Sequence, residues 1–374
     1  MGRRRPAGET DLLTAARERT TALGLGLLRF YVGPRFDYVH PYLSPRRFEG
    51  DEAGARTPAE ILQIPRYAAA LDDPALRTVI LTVYASMDYG AGPDDLNLLR
   101  PWGDEEQAVE TTQIEALCEL LYTRWGDSGK TVILANHEAD EKLMESLDYD
   151  DDPQQAIATL VAWTNARHEA IARVRERHPD ATLRLLHAFE IAAVHLHIRK
   201  DQFRYRKSAR PGGYNALEDI LPKIQCDLVS YSSYESVNSP YRTQAVDTPP
   251  QEIETRLAQD LDHIRDRAQS SVSAFGRALF RDRFVMIGEL GLARDRFEAL
   301  QTGGVIPRLE AAVSAARKWG CPYITVWQAF DAPRKGGEPW GYGAFDRAGE
   351  QPVLQPGAWM CNSIADCLSR QVGP

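Results

Sequence analysis

Cysteine is scarce in this chain: of 374 residues only Cys118, Cys226, Cys321, Cys361 and Cys367 are cysteines, an odd number without CxxC spacing. That excludes a disulfide framework and a zinc ribbon, and it fits a reducing compartment. No run of about 18 apolar residues occurs, so no membrane span is expected. Positive charge is short as well. The 44 Lys plus Arg against 53 Asp plus Glu leave a net charge of −9, whereas a nucleic-acid binder needs a basic footprint to displace counterions from phosphate. Small or neutral substrates remain. GxxxxGK and GxSxG strings are missing, which removes a phosphate-cradling loop and a serine nucleophile elbow. Arg3, Arg4 and Arg5 resemble the start of a signal peptide, but residues 6–19 are polar and Arg29 interrupts the apolar stretch Leu23 to Val32. The expected location is therefore the cytoplasm.

What is present is an ordinary globular composition, 43% hydrophobic and 26% charged, which excludes wholesale disorder, collagen and coiled coil. Short apolar, β-branched runs recur, separated by segments of helical period, the pattern of parallel βα units. The strand candidates are Leu25 to Val32, Thr78 to Tyr84, Thr131 to Asn136, Leu183 to His187, Asp227 to Tyr231, Phe284 to Glu289 and Tyr323 to Trp327. Helix candidates between them include Glu106 to Arg124, Gln154 to Arg177, Gln251 to Arg267 and Val305 to Trp319; in the third, Ile253, Leu257, Leu261 and Ile264 form one stripe. Runs such as VILTVY and FVMIG are apolar throughout, as strands buried on both faces require. Polar residues appear where these runs end, and in a βα barrel the C-terminal strand ends form the active-site face.

The expectation is a single domain over residues 1–374 with the (β/α)8 TIM-barrel fold, its first strand irregular or missing. Thr10 to Leu23 reads as a helix directly before the first recognisable strand. The eighth strand would then lie upstream of residue 10, where Gly2 to Gly8 is a poor candidate. Either the barrel closes irregularly or the native N-terminus is longer, and a longer one would admit secretion. Pro34 to Arg56, Ala85 to Asp104, Arg199 to Tyr214 and Arg334 to Gln355 read as long βα loops forming the walls of a cleft.

Chemistry is sharpest at two strand-end glutamates, Glu138 in TVILANHEAD and Glu289 in FVMIGELG. Cleaving a glycosidic bond needs one carboxyl group to protonate the leaving oxygen and another to attack or stabilise the anomeric centre. Gly288 and Gly291 flank Glu289 and would let a ligand approach the backbone. The competing reading makes each glutamate a solvated loop residue or a salt-bridge partner. His137-Glu138 opens an HExxH string, but Glu141 stands where the second histidine belongs, so no metal is expected. His187 and Glu190, with His195 and His197 beyond, could touch a metal or a substrate; His187 also reads as a satisfied polar lining residue.

In the order of these features the chain resembles the clan-A glycoside hydrolases, retaining glycosidases built on (β/α)8 barrels. In that family the acid/base glutamate follows an asparagine on the fourth strand and the nucleophile ends the seventh. Counting back from the last strand places Glu138 on the fourth and Glu289 on the seventh. The resemblance implies that Arg29, on the second strand, lies beside the nucleophile, that Tyr231 or Tyr234 donates to it, and that Trp327 floors the sugar subsite. Asn136, His137 and His187 join the substrate-binding set. No cofactor is implied, and the partner is a carbohydrate or glycoside.

One departure is local. The family has Asn followed directly by Glu, whereas His137 intervenes here in Asn136-His137-Glu138. On a regular strand Asn136 and Glu138 would share a face, so the extra residue needs a bulge or moves the acid, with Asp140 and Glu141 as fallbacks. A nucleophilic carboxylate must be ionised, and Arg29 with a tyrosine hydroxyl would hold its pKa low. Two alternatives stand beside hydrolysis: a carbohydrate-binding or scaffold barrel without chemistry, and a glycosidase-like barrel reused for a different biosynthetic reaction.

Overall fold

Seven apolar runs pair side by side as parallel strands. A computed structural model of the chain describes residues 12–33, 57–84, 102–147, 152–201, 204–208, 212–237, 248–292 and 305–326. Its strands are β1 (Leu27–Val32), β2 (Thr78–Val83), β3 (Thr131–Ala135), β4 (Arg184–Ile191), β5 (His197–Asp201), β6 (Arg204–Ser208), β7 (Leu228–Ser232), β8 (Val285–Leu290) and β9 (Ile324–Val326). The helices are α1 (Leu12–Ala22), α2 (Pro58–Gln63), α3 (Pro65–Asp72), α4 (Asp104–Trp125), α5 (Ala139–Leu147), α6 (Pro153–Arg177), α7 (Ala216–Asp219), α8 (Tyr234–Val237), α9 (Pro250–Arg267), α10 (Ala274–Phe280) and α11 (Val305–Trp319).

The seven-stranded sheet runs β1-β2-β3-β4-β7-β8-β9 with every pairing parallel. Its two edge strands, β1 and β9, approach each other, so the sheet forms a nearly closed barrel with helices alternating around it. Among the described residues no eighth barrel strand fills that gap. Residues 1–11, upstream of α1, lie outside the described set.

The helices start where local chemistry allows. Thr57 and Glu60 form a reciprocal capping box on α2, with Pro58 in the first turn. Asp152 accepts from the Gln154 and Gln155 amides to open α6. The α9 stripe of Ile253, Leu257, Leu261 and Ile264 is buried as its spacing requires. One part of the core gathers β1 to β3 with α1 to α4. The other gathers β4, β7 and β8 with α6, α9 and α11.

Two differences from expectation bear on the site. The charged stretch from His197 to Ser208, read as part of a loop, is an antiparallel hairpin of β5 and β6, paired from His197↔Ser208 to Asp201↔Arg204. Lys and Arg crowd it, yet Ile198 is buried while its neighbours His197 and Arg199 are half-buried. Second, β4 continues to Ile191, four residues past His187. His187 is therefore mid-strand rather than at the barrel mouth.

Candidate active site

Arg29 is the node of the site. On β1 its side chain points into the barrel, where the side chain is only 7% exposed, and each N–H is directed at an acceptor. Nε donates to Thr82 Oγ1 at 3.0 Å, Nη1 to Glu190 Oε2 and to the Gly288 carbonyl at 2.7 Å each, and Nη2 to Glu190 Oε1 at 2.8 Å. Nη2 also lies 3.4 Å from Glu289 Oε1. The grip on Glu190 is bidentate, the geometry that suits a planar guanidinium. Ser230 Oγ donates to Glu190 Oε2 at 2.7 Å from the neighbouring strand.

Strand β8 makes room for this cluster. Opposite β7 the pairing passes from Tyr231↔Ile287 to Ser232↔Glu289, and opposite β9 from Ile287↔Ile324 to Leu290↔Val326. Thus β8 carries an extra residue at Gly288 and Glu289. In a regular strand these two would point to opposite faces; the bulge turns both inward. A β-carbon on Gly288 would lie 1.9 Å from Ser230 Oγ and 2.4 Å from Glu190 Oε2. The space beside this glycine is thus taken by Arg29, Glu190 and Ser230, not left open for a ligand.

Glu289 is buried and held by three donors. Tyr234 Oη donates to Oε2 at 2.9 Å, Tyr31 Oη to Oε1 at 3.4 Å, and Arg29 stands beside Oε1. Burial raises its pKa to about 7, with Glu190 adding to the rise while Arg29 and the two tyrosines pull it down. Arg29 does not hold Glu289 in the ordinary carboxylate range as expected, because burial outweighs it and Glu190 adds to the rise. Glu138 is also buried, and it is pushed well above its ordinary value, first by burial and then by repulsion from Glu289. Lys207 works in the opposite direction. The two carboxyl groups therefore share one electrostatic environment.

The inserted His137 is accommodated by ending β3 at Ala135. Asn136 turns to the adjacent strand end: Oδ1 accepts from the Glu190 amide at 2.8 Å, and Nδ2 donates to the carbonyls of His137 and Glu190 at 2.9 and 3.3 Å. Both amide protons are thereby used in tying the end of β3 to β4. Glu138 sits at the threshold of α5, its carbonyl accepting from the Glu141 and Lys142 amides. The fallback acids are committed elsewhere. Asp140 accepts from the backbone amides of Ala192, Ala193 and Ala216, and Glu141 pairs with Lys207 at 2.5 Å.

Of the two tyrosine candidates, Tyr234 reaches Glu289 and Tyr231 does not. Ser230 faces inward, so its neighbour Tyr231 faces out, where its hydroxyl bonds Ser236 Oγ, which donates to Asp260. His187 is corrected on the same ground. It has the opposite parity to the inward Glu190 and packs against His168 of α6, with ring centroids 5.6 Å apart. Burial and His168 lower its pKa to about 3. His137 lies beside the site, its ring 6.0 Å from Tyr31 and 6.3 Å from Tyr84. Trp327 lies outside the described residues.

Sequence reasoning missed Tyr31, Ser230 and Lys207, and named Glu190 only beside His187. Tyr31 carried a usable signal: two residues after Arg29 on one strand, it must share Arg29's face.

No family model and no curated protein matches the sequence. Solved structures do match in fold. A GH5-4 broad-specificity endoglucanase from Clostridium acetobutylicum superposes with a TM-score of 0.51 at 12% identity, over 97% of this chain and 91% of that one. The chain shares its barrel fold with this structure. A β-glucosidase from Thermotoga maritima gives a TM-score of 0.52 at 14% identity, over 94% and 86% of the two chains. XEG5A, a GH5 xyloglucan-specific endo-β-1,4-glucanase from a metagenomic library solved with cellotriose, gives 0.52 at 12% identity, over 98% and 89%. At these identities the likeness is one of fold.

Proposed function

We propose that this protein is a glycoside hydrolase that cleaves a glycosidic bond with retention, Glu289 serving as nucleophile and Glu138 as general acid/base. The observation that carries this reading is the pair of buried carboxyl groups, Glu289 on β8 and Glu138 just past the end of β3, close enough to perturb each other, with Arg29 and Tyr234 beside Glu289. The donors lower the pKa of Glu289, whereas Glu138 feels burial and repulsion. Glu289 therefore ionises first and Glu138 keeps its proton, the division that double displacement requires.

In the first step a Glu289 oxygen attacks the anomeric carbon, the bond to the leaving oxygen breaks, and the Glu138 proton passes to that oxygen. In the second, water attacks the anomeric carbon, Glu138 takes the water proton, and the carboxylate of Glu289 leaves. Support for a carbohydrate ligand comes from the fold neighbour that holds cellotriose.

A 2-deoxy-2-fluoro glycoside with a good leaving group tests the reading, because it forms the covalent intermediate and slows its hydrolysis. Peptide mass spectrometry should find the sugar on Glu289. Turnover of aryl glycosides with no adduct on Glu289, and undiminished turnover by Glu289→Gln, would remove the assignment.

A further inference from the structure

We propose that Glu190 is a positioning residue for the nucleophile: by gripping Arg29 with both carboxylate oxygens it fixes which guanidinium edge meets Glu289, and its negative charge stands against that of Arg29 beside Glu289. The inference rests on the reading of Glu289 as nucleophile, and it adds a third carboxylate to the site. Glu190 is fully buried on β4, which lies in the sheet between β3, just upstream of Glu138, and β8, which carries Glu289.

The surroundings are built around it. Arg29 Nη1 and Nη2 reach its two oxygens at 2.7 and 2.8 Å, Ser230 reaches Oε2 at 2.7 Å, and Asn136 bonds both its backbone amide and its carbonyl. Gly288 lacks the β-carbon that would collide with Oε2. Thr82 takes the Arg29 Nε proton, so the guanidinium cannot rotate without losing bonds on three edges. Only Nη2 is left to reach Glu289, at 3.4 Å.

The charged and titratable groups facing Glu289 are Arg29 and Tyr31 from β1, Glu138 from the threshold of α5, Glu190 from β4 and Tyr234 from α8. Of these, Arg29 and the tyrosines favour the carboxylate and Glu190 opposes it. Glu190→Gln removes that opposing charge and keeps one oxygen acceptor for Arg29, which Thr82 and the Gly288 carbonyl continue to hold. The carboxylate of Glu289 then becomes easier to form.

The test uses the full chain labelled with δ-13C glutamate and follows the Glu289 carboxyl by NMR from pH 4 to 9, the resonance assigned by its loss in Glu289→Gln. The wild-type midpoint is expected near neutrality. Glu190→Gln should lower it by about one pH unit or more, while Glu190→Asp, which keeps the charge, should stay close to wild type. A midpoint that does not move in Glu190→Gln overturns the proposal. So does a wild-type midpoint in the ordinary carboxylate range, which decides the matter even if Glu190→Gln fails to fold. The readout needs no substrate: a chain that hydrolyses no glycoside can still show the shift, and an active chain with an unmoved midpoint loses only this assignment.

Discussion

Gly288 and Ser230, on the adjacent strands β8 and β7, stand so close inside the barrel that a β-carbon on the glycine would lie 1.9 Å from the serine hydroxyl oxygen. The glycine is required by the company it keeps, since its φ does not lie in the left-handed region. Gly288→Ala must therefore push Ser230 and Glu190 off their positions. Overpacking of this kind typically costs about 1–3 kcal/mol. Urea unfolding should register the loss, and activity should fall with it as Arg29 shifts. A variant of unchanged stability and activity would contradict the inward placement of Gly288.

The pH dependence of folding provides a second check. Glu289 has a folded pKa raised from 4.5 to about 7, so between those values the folded state binds more protons than the unfolded chain. Stability is then full below about pH 4.5 and declines as pH rises through 7. For this one group the loss is about 3 kcal/mol at 1.36 kcal/mol per unit. Glu289→Gln removes the ionisation, so it should be more stable than wild type at pH 8 and little different at pH 4. Equal denaturation midpoints at pH 8 would contradict the burial of this carboxyl.

Tyr234 and Tyr231 should separate cleanly. Tyr234→Phe removes a 2.9 Å bond to Glu289, and a hydrogen bond to a charged group is worth about 1.5–3 kcal/mol. A fall in kcat/KM of about 10-fold to 100-fold follows, with the acidic limb of the pH profile moving upward because a donor to the carboxylate has gone. Tyr231→Phe breaks a bond to Ser236 outside the barrel. It should lower stability by about 1 kcal/mol and leave the pH profile where it was. Steady-state kinetics across pH on both variants distinguishes them.

Lys207→Met addresses the acid. Lys207 lowers the pKa of Glu138, and its own pKa is raised by Glu141, Glu138 and Asp140 against the opposing effect of burial. Removing the ammonium should raise the Glu138 pKa further. Since Glu138 must be protonated in the first step, the alkaline limb of kcat/KM should move to higher pH. An alkaline limb that moves to lower pH, or stays put, would place the acid elsewhere.

The barrel was legible because strands buried on both faces leave an unbroken apolar trace. All seven sheet strands fall where VILTVY, FVMIG and their counterparts placed them. Glu289 was legible for the same reason, as an acid at the end of such a run. What misled was the assumption that the first polar residue ends a strand. His187 looked terminal, but Ala188 to Ile191 carry β4 onward, and parity then sends His187 outward and Glu190 inward. Tyr231 failed by the same one-residue parity. The bulge at Gly288 and Glu289 left no trace in the composition of β8, because it exists only relative to the registers of β7 and β9. The hairpin of β5 and β6 hid behind its charge, since helix- and strand-forming apolar patterns are absent from a stretch such as HIRKDQFRYRKS.

The ion pair between Lys207 and Glu141 has a consequence for how such a protein could be altered. The proposed nucleophile is supported by the strands of the frame itself, through Arg29, Glu190 and Ser230. The proposed acid takes its cationic neighbour from an arm inserted between β4 and β7. Frame and arm are separable pieces of chain, so acid strength can be tuned by grafting a different arm while the nucleophile's supports are untouched. In engineering terms the arm would tune only the limb of the pH profile that Glu138 governs, while the limb of Glu289 stays with the frame.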